Sequence, residues 1–228
     1  MIGIVPAGGK ATRMNGLPKF LLPTPEGSLF DVMCKRMEST GVERVWVAGS
    51  DDTAGTLFPY CNETRRLYRV NVPTMSEAVM AARTLIPPDF VAGFGMPDTY
   101  FDDTRAFSKL DDAVLKDGAD MAVGVFKTRP GQHRKLGMCR IEDSHVVEVV
   151  DKPQQTDLEY AWGVLAWSYR FWPLMRADDP HIGYALPRAI AAGLDVRAVF
   201  MDGEYFDCGT PDEYFECINH VTRGKHER

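Results

Sequence analysis

The sequence predicts an α/β protein built on a mixed sheet, and three observations carry that expectation. Short apolar runs alternate with segments of helical period along the first 126 residues. The first run, Ile2 to Pro6, opens into a glycine turn at Gly8-Gly9, as strands of open α/β sheets do where they meet ligands. From residue 137 the pattern changes. Gly137 to Ile141 and Val146 to Val150, joined by Glu142-Asp143-Ser144, read as antiparallel strands.

Each element follows from its residues. Residues 2–6 form the first strand. Ser28 and Asp31 make a capping box, with Asp in the usual place of Glu. Leu29, Val32, Met33 and Met37 then form the apolar stripe of a helix that Gly41 stops. Arg44 to Ala48 and Leu67 to Val72 read as strands. Thr74 and Glu77 open a helix through about Leu85, and Pro87-Pro88 end it. Phe90 to Phe94 form a strand that delivers Asp98 just past its end. Residues 104–117 read as a helix, Met121 to Phe126 as a buried strand and 127–135 as a loop. Trp162 to Trp167 and Val196 to Met201 read as strands, and 169–176, 184–192 and the segment after Pro211 as helices. The organisation expected is one domain over 1–228, in two halves that divide near residue 126.

Composition excludes several classes. A net charge of -6 argues against a general nucleic-acid binder. No apolar stretch is long enough to span a membrane, and the N-terminus enters a strand with no basic-then-apolar leader. The five cysteines form no Cys-x-x-Cys pair, which suits free thiols in a reducing cytoplasm. The histidines are scattered and give no support to a zinc site. Residues 127–140 hold Lys127, Arg129, His133, Arg134, Lys135 and Arg140, read either as a solvated surface or as a mobile flap near phosphate.

Lys10, Thr12 and Arg13 follow the glycine turn at once, and Pro18-Lys19 comes soon after. Glycines let backbone N–H groups approach phosphate oxygens, and cations supply charge where an anion builds up. The segment is thus a place to hold polyphosphate. A Walker A loop would need Gly at 4 and Ser or Thr at 11, where Ile4 and Ala11 stand, and no G-x-G-x-x-G run occurs.

Segment 7–19 resembles the signature of the sugar-phosphate nucleotidyltransferases, the family that includes glucose-1-phosphate thymidylyltransferase. Further segments resemble its motifs in order: Pro73 to Ala78, Met96 to Phe101, Leu136-Gly137 with Val150-Asp151-Lys152-Pro153, Ala161 to Val164, and Phe206 to Pro211. The resemblance covers nearly the whole chain. It implies a Rossmann-like three-layer (GT-A-like) nucleotidyltransferase fold, with a mixed, mostly parallel central sheet and a small antiparallel sugar-side insertion. It also implies an activity: transfer of a nucleoside monophosphate from an NTP (dTTP, UTP or CTP) to a phosphorylated acceptor, foremost a sugar 1-phosphate, giving an NDP-sugar and pyrophosphate.

The same resemblance suggests roles. Arg13, Lys19, Asp98 and Lys152 are the catalytic candidates. Ala7, Gly8, Gly9, Lys10, Thr12 and Arg13 would hold the nucleotide, with Arg69 and Thr74 on the base side. Asp151, Lys152 and Gly163 would meet the acceptor, a turn acid and a packing glycine being the alternatives for Asp151 and Gly163. Asp98 and Asp207 would bind Mg²⁺, a hard cation suited to carboxylates and phosphate. Several positions depart from the family pattern: Ala11 and Thr74 replace glycines, Pro97 replaces a glycine and removes an N–H, Asp151 replaces a glutamate, and Arg69 stands where a glutamine often reads the base. These departures keep a cytidylyltransferase for a non-sugar phosphate in view. A glycosyltransferase of the same fold would usually carry Asp-x-Asp, which is absent, and a silent regulatory subunit would have lost the cations, which are present. A C-terminal repeat domain of the larger members is not expected. The base, the acceptor and any homo-oligomer stay open.

Overall fold

The computed structural model describes residues 1–9 and 18–226, with side chains to 223. In chain order, β1 (Ile2–Pro6), β2 (Pro23–Thr24), β3 (Gly27–Ser28) and α1 (Leu29–Glu38) come first. They are followed by β4 (Arg44–Gly49), α2 (Asp51–Leu57), β5 (Arg65–Arg69), α3 (Met75–Ala81), β6 (Ala92–Gly95), β7 (Thr99–Phe101), α4 (Ala106–Leu115) and β8 (Met121–Lys127). Then come β9 (Gly137–Glu142), β10 (His145–Asp151), β11 (Tyr160–Trp167), α5 (Leu186–Ala191), β12 (Val196–Phe200), β13 (Tyr205–Asp207) and α6 (Pro211–His226).

Nine strands form one sheet in the order β5-β4-β1-β6-β11-β8-β12-β10-β9. The neighbours β5, β4, β1 and β6 run parallel. β11 then runs against both β6 and β8, and β12 is parallel to β8. The mixed, mostly parallel sheet expected from the sequence is therefore present, with β9 and β10 as its antiparallel corner. Asp143 and Ser144 take φ of 46° and 65°, which makes β9–β10 a tight hairpin of the kind whose twist matches its strands.

Helices cover both faces. Phe30, Met33 and Met37 of α1, Leu57 of α2 and Phe107 and Leu110 of α4 pack in one core with Val5, Val45 and Val47. Val79 of α3 and Leu186 and Ala189 of α5 pack on the other face with Ile4, Phe94 and Val123. A large apolar side chain buried completely, as Phe30 and Phe94 are, contributes roughly 1.5–3 kcal/mol. A third cluster seats Cys217 and Val221 of α6 against Tyr100 and Phe206.

The local signals act as their chemistry requires. The Ser28 hydroxyl accepts from the Asp31 N–H at 3.1 Å, and the Asp31 carboxylate accepts from the Ser28 N–H at 3.4 Å. Thr74 caps α3 by accepting from the Glu77 N–H at 3.1 Å. Three differences from the sequence reading stand out. The third strand is Arg65–Arg69, earlier than Leu67 to Val72, and the residues after it become cavity wall. The segment 169–176 is a 3₁₀ stretch, Tyr169–Leu174, because Pro173 lacks the N–H an α-helix needs. Residues 51–57 form a helix that apolar periodicity does not show; it is marked instead by Ser50, whose N–H donates to the Thr53 hydroxyl at 3.0 Å, and by two acids in its first turn.

Candidate active site

β1, β4, β5 and β6 run side by side in one direction, so their C-terminal ends share one edge of the sheet. A cavity of about 290 Å³ opens there. Ala7, Gly8 and Gly9, beyond β1, form one wall. Ala48 and Ser50 at the end of β4 and Val70, Val72 and Pro73 beyond β5 form the next, and Thr74, Met75 and Ala78 of α3 close it. Lys19, Phe20, Pro97 and Asp98 also line it. The placement of Lys19 follows from its neighbours. Pro18 restricts the backbone before it, and Phe20 is buried edge-on against Phe30, with ring centroids 6.2 Å apart. Anchored there, Lys19 holds its Nζ 3.9 Å from Asp98 Oδ2. Lys10, Ala11, Thr12 and Arg13 lie outside the described residues.

The two acids named from the sequence are far apart along the chain, yet they meet. A small antiparallel ladder does it. β7 pairs with β13 so that Thr99 faces Asp207, and the Cys208 N–H donates to the Asp98 carbonyl at 3.0 Å. Burial, and then the neighbouring Asp98 charge, push the Asp207 carboxyl up to about 6. Glu213 pushes the same way, while Lys19 and the Gly209 N–H pull it down. Two carboxyls this close, one raised by the other's charge, favour a cation beside them. No group of three or more His, Cys, Asp or Glu among the described residues could hold a metal alone. Two carboxylates completed by phosphate oxygens and water are, however, a usual Mg²⁺ arrangement, so the residues present fit a hard divalent cation.

Of the residues expected from the sequence to meet the acceptor, Asp151 ends β10, and Lys152 follows with φ of 49°. Its N–H donates to the Leu136 carbonyl at 3.1 Å, which holds it in this left-handed conformation. Lys152 Nζ and His181 Nε2 stand 4.0 and 3.9 Å from the same oxygen, Asp151 Oδ2. Gly163 has a packing reason of its own. It is the extra residue at a register shift between β11 and β8. A Cβ there would come within 2.6 Å of the Tyr205 ring and 2.7 Å of the Phe126 ring.

The sequence matches the MobA-like NTP transferase domain family over residues 3–183. The chain belongs to this family. It is a nucleotidyltransferase, and the solved structures it resembles share that fold. A protein assigned as a glucose-1-phosphate thymidylyltransferase, from Bacillus anthracis and in complex with sucrose, superposes with a TM-score of 0.82 at 14% identity over 97% of this chain and 95% of its own. A UDP-glucose pyrophosphorylase from Acinetobacter baumanii gives 0.78 at 16% identity over 96% and 93%. An inositol-1-phosphate CTP transferase from T. maritima gives 0.78 at 16% over 98% and 96%. No curated protein sequence matches the chain. Nucleotidyltransferases of this family generally use a divalent metal, and no helix among the described residues is long and apolar enough to cross a membrane.

Within this nucleotidyltransferase the base-side candidates fare unevenly. Thr74 lines the cavity, and its hydroxyl donates to the Ala177 carbonyl at 2.5 Å while capping α3, which commits its proton to structure. Arg69 is exposed on edge strand β5 and is not part of the cavity wall. The wall residues that sequence reasoning passed over include Ser50, Val70 and Val72. The Ser50 cap was their readable signal; the aliphatic ones carry none. The basic stretch is partly neutralised. Arg129 stacks over Phe206 at 4.2 Å and faces Glu204 and Glu216, and Lys135 pairs with Glu213 at 2.7 Å.

Proposed function

We propose that this enzyme joins a nucleoside monophosphate, taken from an NTP, to a phosphorylated acceptor of the sugar 1-phosphate class, releasing pyrophosphate. One observation carries the reading: Lys19 and Asp98 line the same cavity as the glycine turn, and Asp207 lies beside them. In the reaction an acceptor phosphate oxygen attacks the α-phosphorus. That P–O bond forms as the bond to the β-phosphate bridging oxygen breaks, and pyrophosphate leaves with the electron pair. Positioning and electrostatics do most of this work. The Gly8 and Gly9 backbone, with Lys10 and Thr12, holds the triphosphate. Arg13 stabilises the charge gathered on the α-phosphate and the leaving pyrophosphate with its planar fork, and Lys19 bridges the phosphates of both substrates. Asp98 and Asp207 would hold Mg²⁺, which supplies charge neutralisation at the phosphate oxygens. Lys152 binds the acceptor's phosphate as a point charge, Asp151 takes a sugar hydroxyl, and Gly163 shapes the strand beside it.

This reading treats the chain as one catalytic domain, its nucleotide half ending near residue 126, working in the cytoplasm, where its five free cysteines would persist. The test is a pyrophosphate-release screen of common NTPs, with Mg²⁺, against glucose 1-phosphate, N-acetylglucosamine 1-phosphate, inositol 1-phosphate and glycerol 3-phosphate. Release that needs both an NTP and a sugar 1-phosphate is the expected result. Release with CTP and a non-sugar phosphate alone would move the enzyme to the cytidylyltransferase reading. No release with any pair would end the proposal.

A further inference from the structure

We propose that His181 is a specificity-determining residue for the acceptor, its Nε2–H and the Asp151 carboxylate together reading one hydroxyl group of a phosphorylated sugar or polyol. The inference rests on the acceptor side lying at Asp151 and Lys152, and it adds a residue that no motif pointed to.

The histidine is held as a fixed donor. His181 Nδ1 accepts the Gly183 N–H at 3.2 Å, and a ring nitrogen that accepts leaves the proton on the other, Nε2. The ring is fixed by packing. It lies 6.1 Å from the Trp162 ring and 4.8 Å, edge to face, from Tyr184. Gly183 makes this possible, because a Cβ there would fall 2.6 Å from Trp162 Cζ2 and 2.9 Å from His181 Nδ1.

What Nε2 faces points to a ligand. Asp151 Oδ2 is 3.9 Å away, too far for a direct hydrogen bond, and Lys152 Nζ is also out of reach of that oxygen at 4.0 Å. A hydroxyl oxygen about 2.8 Å from each of Nε2 and Oδ2 fits that gap. It would accept from the imidazole and donate to the carboxylate, which an ether, a ketone or a bare methylene cannot do. Lys152 adds the phosphate-binding charge one residue along, in a strained left-handed conformation of the kind found at ligand clamps. The chain leading into His181 is tied to the nucleotide wall, since the Met75 N–H donates to the Pro180 carbonyl at 3.3 Å and Thr74 bonds to Ala177. The donor is thus held in register with the other substrate.

The experiment compares wild type, H181F and H181N in steady-state turnover. The acceptor is varied at saturating NTP, using each phosphate of the screen above that supports release, together with mono-deoxy analogues of it. Phe keeps the ring packing and removes the donor. Asn keeps an acceptor for the Gly183 N–H, as a good cap, but cannot reach Asp151. Both variants should raise the acceptor KM about 10-fold, the scale of one lost hydrogen bond, and leave the NTP KM unchanged. The wild-type preference for the hydroxylated acceptor over its deoxy analogue should collapse. Wild-type acceptor KM and hydroxyl preference in folded H181N would reduce His181 to a helix cap and overturn the inference alone. Absence of release by wild type itself would end both the proposed function and this inference.

Discussion

The two sides proposed to take the nucleotide and the acceptor are built from different materials. The nucleotide wall is the common edge of parallel strands. Apart from Lys19 and Asp98, its surface among the described residues is mostly backbone and small or apolar side chains, such as Gly8, Gly9, Val70, Val72 and Ala78. The acceptor side is the end of an antiparallel hairpin and the segment facing it. Its surface is charge and hydrogen-bonding capacity: Asp151, Lys152 and His181. Every NTP offers the same triphosphate, which backbone N–H groups can cradle whatever the base. Phosphorylated acceptors differ in where their hydroxyls lie, and only placed side chains can read that. The seam between the two is the β7–β13 ladder, which carries Asp207 and begins one residue after Asp98.

The comparison is broken most completely at the seam, because the acids there are proposed to hold the metal that serves both substrates. Asp98→Ala and Asp207→Ala should each abolish pyrophosphate release while the far-ultraviolet circular dichroism stays that of the wild type. Full turnover in either variant would remove the metal assignment. Next in size is the loss of a cation. Arg13→Ala and Lys19→Ala should each lower kcat about 10²-fold or more, the scale of one charge-stabilising donor. A change confined to KM would mean that the residue serves ground-state binding.

How much of this was readable varies between the sides for a physical reason. The nucleotide wall comes from regular strands and a glycine turn, and those leave periodicity and composition in the sequence. The fold class, most element positions, and Lys19 and Asp98 as neighbours of one loop follow from it. The Asp98–Asp207 meeting does not follow from spacing, because β7 and β13 are three residues each and too short to show a pattern; only the resemblance pointed to it. Arg69 is a different case. Aligned from the start of α3, it fell on the base side, but β5 ends at that residue and exposes it, and the two valines beyond it form the wall. His181 has no sequence signal at all. It matters because of what 3₁₀ packing sets beside it, and a lone histidine in a sequence does not say that.

Two predictions sharpen the acceptor side. Lys152→Ala should raise the acceptor KM about 10-fold or more, the scale of a lost charged hydrogen bond, and leave the NTP KM unchanged, which steady-state kinetics with each substrate varied in turn would read. Equal changes in both would deny that the two sides are separate. Gly163→Ala tests the packing reason for that glycine. Overfilling the space between Phe126 and Tyr205 should cost about 1–3 kcal/mol, read as a lower urea midpoint. An unchanged midpoint would show that the rings yield, and would leave acceptor contact as the reason for a glycine.

The smallest expected effect is the pH dependence that His181 lends to folding. Burial lowers the affinity of its ring for a proton, and Lys152 works in the same direction, while Asp151 and Asp179 oppose them. Its value in the folded protein is therefore below that in the unfolded chain, about 6.5. A depressed value means that the unfolded chain binds the proton more readily. The stability tied to the neutral ring is full above about pH 6.5 and is lost as pH falls through the lowered folded value. Protonation at Nδ1 would also remove the acceptor of the Gly183 N–H, so the cap is lost over the same range. In chemical denaturation at pH 7.5 and at pH 5, H181N should therefore lose less stability on acidification than the wild type. Equal losses would mean that the ring accepts its proton as easily folded as unfolded, and the fixed neutral donor on the acceptor side would have to be given up.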